Sequence, residues 1–158
     1  MLKKVLALLI LAGCGFRPVF SGNDTDIYVP PISGINGIEM RNALNAKFGG
    51  QHAADAKYTL TINLNTPAVK YKALDETGAA TWQEIYMVAN YTLKDGDTVV
   101  ATGRETASES YTFVRYLVAS NASYNNAVKN TITVLAEKIG NYAIAAAYDY
   151  EHRDDTDK

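Results

Sequence analysis

The chain has 158 residues, 47% of them apolar, with 15 Lys and Arg against 17 Asp and Glu and a single cysteine. That composition fits one globular domain and excludes a disordered tail or a disulfide scaffold. Its charges are interspersed and slightly acidic in sum, the opposite of a basic face built for nucleic acid, and no run after the first dozen residues approaches the roughly 18 to 20 apolar residues of a membrane-spanning helix.

Residues 1–13 read as a secretory signal peptide: Lys3 and Lys4 precede the apolar stretch from Val5 to Leu11, with small residues after it. The segment ends in Leu11-Ala12-Gly13-Cys14, which matches the bacterial lipobox, where diacylglycerol is attached to the cysteine thiol and the chain is cut before it. Lipidation of Cys14 also explains the lone cysteine, because a thioether removes the thiol that an exported protein would otherwise expose to oxidation. With two or three acyl chains at about 0.8 kcal/mol per buried methylene, the anchor is effectively permanent. Losing Lys3 and Lys4 from the 15 bases leaves 13 against 17 acids, a net charge of −4. By resemblance to Gram-negative lipoproteins, Gly15 beside the anchor, in place of an aspartate, directs the protein to the outer membrane, on its periplasmic side.

Residues 14–26 then read as the lipidated N-terminus and a polar tether. A short strand is expected at Ile27-Tyr28-Val29, stopped by Pro30-Pro31. Asn36 to Phe48 reads as a helix with Met40, Leu44 and Phe48 on one stripe, ended by Gly49-Gly50. Tyr58 to Leu64 alternates without a fault, placing Tyr58, Leu60, Ile62 and Leu64 on one face and Thr59, Thr61 and Asn63 on the other. Ile85 to Leu93 repeats the pattern, with Tyr86, Asn90 and Thr92 outward, and Asp95-Gly96 signals a hairpin into a strand from Thr98 to Ala107. From about Asn125 the period changes: Val128, Ile132, Leu135, Ile139, Tyr142 and Ala146 predict a long amphipathic helix, which Gly140 weakens by about 1 kcal/mol. The last ten residues, 149–158, hold five acids and two bases and no period, which predicts a mobile acidic tail.

The order β-α-β-β-β-α, with strands polar on one side, predicts a single α+β domain over residues 27–148. It is a two-layer sandwich, a four-stranded mixed sheet with two helices packed on one face. The other face, bearing Thr59, Thr61, Asn63, Tyr86, Asn90 and Thr92, is uncharged at these positions and amphipathic, where a merely solvated sheet would carry more Lys and Glu. It is the candidate partner face, with plain solvent exposure as the alternative.

Chemistry for catalysis is thin. His52 and His152 have no second histidine at ligand spacing, so no metal site and no cofactor are expected, and there is no nucleophile elbow, phosphate loop or zinc-protease helix. Of the carboxylate pairs, Asp95 with Asp97 flanks the turn glycine and shapes it, Asp75-Glu76 reads as part of a loop, and neither these nor Glu105 with Glu109 reads as an acid-base pair. Among cations, Lys70 and Lys72 share one strand face, and Arg104 and Arg115 lie in or after the last strand; on the residues alone, ordinary surface charge is the better reading of all four.

Four segments carry a resemblance. They are Cys14-Gly15-Phe16-Arg17-Pro18 after the lipid, Glu39-Met40-Arg41-Asn42-Ala43-Leu44 in the first helix, Ile85 to Leu93 with Asp95-Gly96, and Tyr111 to Asn126 leading into Ala127 to Ala146. In this order they resemble the lipopolysaccharide-assembly lipoproteins that plug the large outer-membrane β-barrel translocon, here of an alphaproteobacterial kind. The resemblance implies two helices on one side of a four-stranded sheet, no active site, a one-to-one partnership inside the barrel, a role in barrel assembly, and binding of lipopolysaccharide in transit. It also implies that basic residues meet lipid A phosphates; Lys70, Lys72, Arg104 and Arg115 are the candidates. Two other readings stay open: an auxiliary lipoprotein of a periplasmic lipid-transport system, and a small cell-wall hydrolase using Asp75, Glu76 or Glu105.

Overall fold

The computed structural model describes residues 25–74, 76–77, 80–113 and 116–153. The elements run β1 (Ile27–Tyr28), α1 (Ile35–Lys47), β2 (Tyr58–Leu64), β3 (Ala68–Leu74), β4 (Ala80–Asp95), β5 (Thr98–Thr112) and α2 (Leu117–His152). The signal peptide, Cys14, most of the tether, Asp75, Arg115 and residues 154–158 lie outside the described residues.

β1 is short because Pro30 and Pro31 follow it. Val29 is nonetheless buried, and Arg41 Nε donates to its carbonyl at 2.8 Å, tying α1 to the strand. α1 buries Met40, Leu44 and the capping Phe48 completely, the stripe expected from the sequence. It closes with Phe48 N–H on the Leu44 carbonyl and Gly50 N–H on that of Asn45, a reversal that uses Gly49 at φ 88°.

β1 pairs in parallel with the start of β2, while β2 and β3 run antiparallel to the second and first halves of β4. β5 runs along the opposite edge of β4 for nearly its full length. β2 and β3 therefore lie end to end on one side of β4, and the sheet is nowhere more than four strands wide. The break falls at Asn65-Thr66-Pro67, where proline cannot donate to the ladder; Asn65 N–H still bonds the Val88 carbonyl at 2.9 Å. Asp95-Gly96 makes the expected hairpin, with Gly96 at φ 55°.

The fold class is as expected, an α+β sandwich with both helices on one face. Leu60, Ile85, Met87 and Leu93 point from the sheet into the core and Ile132, Leu135 and Ile139 meet them from α2. The sheet has five strands where the sequence predicts four, β3 being the addition, and several further expectations need correction. β4 begins at Ala80 rather than Ile85, and β5 continues past Ala107 to Thr112, so the hairpin extends into a long arm with β3 on its edge. α2 begins at Leu117, eight residues before Asn125: its first turns are rich in Ser and Asn, poor helix formers, and are held by Tyr124, whose ring packs edge-on against Tyr111 at 6.2 Å. Tyr142 leaves the apolar stripe and is 54% exposed, while Ala143 and Ala147 are buried in its place. A straight helix drifts about 20° per heptad against a strict 3.5-residue repeat, which carries position 142 outward.

The expected mobile tail is helical as far as His152. Glu151 is fixed there by Lys57 Nζ at 2.6 Å and the Tyr58 hydroxyl at 3.1 Å. Lys57 holds its proton more firmly as a result, and Glu151 stays ionised below its ordinary range, mainly through the Lys57 hydrogen bond and then that of Tyr58.

Candidate functional site

On β4 the residues facing away from the helices are Trp82, Glu84, Tyr86, Val88, Asn90, Thr92 and Lys94, set by the two-residue period of the strand. Pairing places Thr61, Thr92 and Thr102 in one row across this face, and Asn63, Asn90 and Arg104 in the next. Thr61, Asn63 and Asn90 are exposed, and Thr59, Tyr86 and Thr92 half-buried. The six candidate partner residues thus lie on one open face. Lys94 and Arg104 are its charges at this end, and Val88 is the one buried aliphatic among its described residues.

At the arm end the character of the face changes. Lys70 stands opposite Glu84, which stands opposite Ser110; one step on, Trp82 faces Ala73 and Thr112. The register shifts after Tyr71, so Lys72 is a bulged residue without a partner on β4. Its Nζ reaches Glu84 Oε2 at 3.0 Å, and Lys70 Nζ lies 4.4 Å from the centre of the Tyr86 ring. The Lys72 hydrogen bond holds the Glu84 carboxyl below the usual carboxylate range, with Ser108 and the charge of Lys70 acting in the same direction. Both lysines are exposed yet lean over the sheet, one onto an acid and the other onto an aromatic ring.

The structure brings Lys70 and Lys72 together and keeps Arg104 apart. Arg104 pairs with Asn90, six residues from Glu84 on the same strand, a separation of about 20 Å. Arg115 lies outside the described residues. Trp82 and Glu84, which complete the arm-end cluster, were missed by a reading that started the strand at Ile85. Their signal was the same alternation, since Trp82, Glu84 and Tyr86 stand at period two.

The carboxylates are not gathered. Glu76 is exposed in the turn beyond β3, whereas Glu105 pairs with Ala89 far along the sheet. Glu105 and Glu109 are four residues apart on one strand, about 13 Å between Cα atoms, against roughly 5 to 9.5 Å between the carboxyls of a glycosidase pair. Among the described residues no group of three His, Cys, Asp or Glu could hold a metal, and no helix is long and apolar enough to cross a membrane.

No family model and no curated protein matches the chain. Solved structures do match. A protein from Caulobacter crescentus described as a candidate lipoprotein has a TM-score of 0.63 at 20% identity, over 79% of this chain and 93% of that one. Rare lipoprotein B from Shewanella oneidensis has a TM-score of 0.61 at 14% identity, over 80% and 97%. A minor lipoprotein from Acinetobacter baumannii has a TM-score of 0.56 at 16% identity, over 75% and 88%. The fold is that of small bacterial lipoproteins. At these identities the likeness speaks for the arrangement of helices and strands and assigns no residue a role, so the open face must be interpreted from its own chemistry.

Proposed function

We propose that the protein is an outer-membrane lipoprotein, anchored through Cys14 on the periplasmic side, that plugs and helps assemble the β-barrel translocon inserting lipopolysaccharide into the outer leaflet, and that it binds lipopolysaccharide in transit. The observation that carries this reading is the open sheet face. One face of the sheet is covered by helices, while the other presents hydroxyl and amide side chains from Thr59 to Asn90 with few charges. Barrel lumens are polar and water-filled, and a neutral hydrogen-bonding face can meet such a wall without stranding charge. The lipobox and a fold shared with small lipoproteins support the anchor. Lys70 and Lys72, on the same face, are the best placed cations for an anionic lipid. In this reading the protein has no catalytic residue.

The test is copurification from membranes with the tagged chain. One large β-barrel at one-to-one stoichiometry supports the proposal; a permease complex would instead indicate an auxiliary lipoprotein of a lipid shuttle, and neither would leave a stand-alone protein. Tyr86→Glu and Asn90→Glu place a charge on the enclosed face, where an unpaired charge is costly, and each should reduce recovery of the barrel while the isolated domain keeps its thermal midpoint. Normal recovery with both variants would move the interface elsewhere.

A further inference from the structure

The arm end of the open face carries more than positive charge. Trp82, the single tryptophan of the chain, is 53% exposed, and its ring rises from a floor of small residues, with Ala73 and Thr112 as its strand neighbours. Two positions on, about 7 Å along β4, stands Glu84, with Lys70 on one side and Ser110 on the other, strands being about 4.8 Å apart. The patch therefore combines an open aromatic ring, two ammonium groups, an ionised carboxylate and two hydroxyls on the open sheet face, within the footprint of one or two sugar rings.

We infer that this patch is a binding site for an acidic sugar, seated on the Trp82 ring with its carboxylate or phosphate on Lys70. Each group has a separate task. The indole face covers the C–H side of a pyranose, burying apolar area without needing a deep pocket. Glu84, fixed in place by Lys72, accepts hydrogen bonds from ring hydroxyls, and Ser110 and Thr112 can donate to or accept from others. Lys72 is already paired with Glu84, so the ammonium left to meet an anion is that of Lys70, held over Tyr86. A bare anion would use Lys70 alone and a neutral sugar would forgo it, so the arrangement suits a ligand that is both sugar and acid. Such a ligand can be a free sugar acid or the saccharide part of a glycolipid; the second source rests on the proposed function, while the chemistry of the site does not.

Trp82 makes the site self-reporting. Titrating the full chain with galacturonate should change its intrinsic fluorescence saturably, with a dissociation constant of about millimolar, as a shallow site and a small ligand imply. Galactose should bind about tenfold more weakly, and acetate or inorganic phosphate should leave the emission unchanged. Lipopolysaccharide core oligosaccharide freed of its acyl chains should match or exceed galacturonate, and the phosphorylated disaccharide of lipid A, itself a sugar bearing an anion, should also bind. By calorimetry, Trp82→Ala and Lys70→Gln should each weaken galacturonate binding about tenfold, a change of about 1.4 kcal/mol. If either variant fails to fold, the wild-type titrations still decide. No saturable change up to about 50 mM galacturonate, or an equal response to inorganic phosphate, would each overturn the assignment. If those results came with normal recovery of the barrel, they would remove the sugar site and leave the plug reading standing.

Discussion

Gly103 and Tyr91 face each other across β4 and β5, and a Cβ on Gly103 would collide with the Tyr91 ring. In a strand interior glycine ordinarily costs stability relative to alanine, and here the cost is exchanged for an aromatic side chain laid flat across the neighbouring strand. Gly103→Val should therefore destabilise the domain by about 1 to 3 kcal/mol through overpacking, against the gain that β propensity alone predicts; a raised denaturation midpoint would refute this. The sequence showed the glycine but not its use, because the pairing of positions 91 and 103 is a property of register. Glu84 is a similar case. Its alternation with Trp82 and Tyr86 was visible, whereas its bond to Lys72 depends on a bulge that no period encodes. Because Lys72 holds the Glu84 carboxyl down, Lys72→Met should return it towards its ordinary value near 4.5, readable as the midpoint of its side-chain carbonyl shift in an NMR titration. An unchanged midpoint would mean that the ion pair does not persist in solution.

α2 shows where sequence periodicity suffices and where it stops. Val128, Ile132, Leu135 and Ile139 are buried as their spacing predicts, since this part of the helix lies over the core and 3.6-residue geometry alone sets its face. Both ends escaped that reasoning: the Ser- and Asn-rich start is held by Tyr124 on Tyr111, and the acidic end by Glu151 on Lys57 and Tyr58, contacts of long sequence separation that no local pattern announces. Gly140 belongs to the same class. It reads as a helix penalty, yet a Cβ there would meet the stem of Lys47, which crosses it to reach Glu137. The C-terminal clasp gives a pH prediction at this scale. Glu151 has a folded pKa below its unfolded one, so its stabilisation is present above the unfolded value, near 4.5, and is lost as pH falls through the folded value. Lys57 is shifted upward and loses its contribution only when pH rises past its ordinary 10.5. Amide protection at residues 147–152 should thus be flat through neutral pH and decline in the acid range below 4.5. Glu151→Gln should remove that dependence and fray the last turns, with little change in the global midpoint because the pair is exposed; identical exchange in wild type and variant would show that the clasp contributes nothing.

At the level of the molecule, the described chain enters the domain at the end opposite the arm. The first described residue of the tether, Thr25, precedes β1 beside Tyr58, which pairs with Asp95, whereas Trp82 lies thirteen residues back along β4, about 43 Å away. Ten residues, 15–24, separate Cys14 from Thr25, and such a segment spans at most about 36 Å. A lipid at Cys14 would therefore join the domain through the end farthest from the arm-end patch, on a segment shorter than the distance to it. The core is also closed without it: its buried cluster runs from Ile27 to Ala147 and draws on both helices and on four of the strands. Hydrophobic burial of this kind depends on area removed from water within the domain, and nothing in the cluster calls for a membrane to complete it. Exported with a cleavable signal and Cys14→Ala, the protein should be recovered soluble and folded, with the same thermal midpoint as the lipidated form in detergent and the same fluorescence response to galacturonate. Tyr71, Trp82, Tyr116, Leu117 and Val118 are exposed at or near the arm end, so some concentration-dependent self-association through that end is compatible with a folded domain and should diminish on dilution. Recovery only as aggregate that dilution does not reverse would show instead that the fold needs the bilayer, and would place the anchor among the elements that hold the domain together.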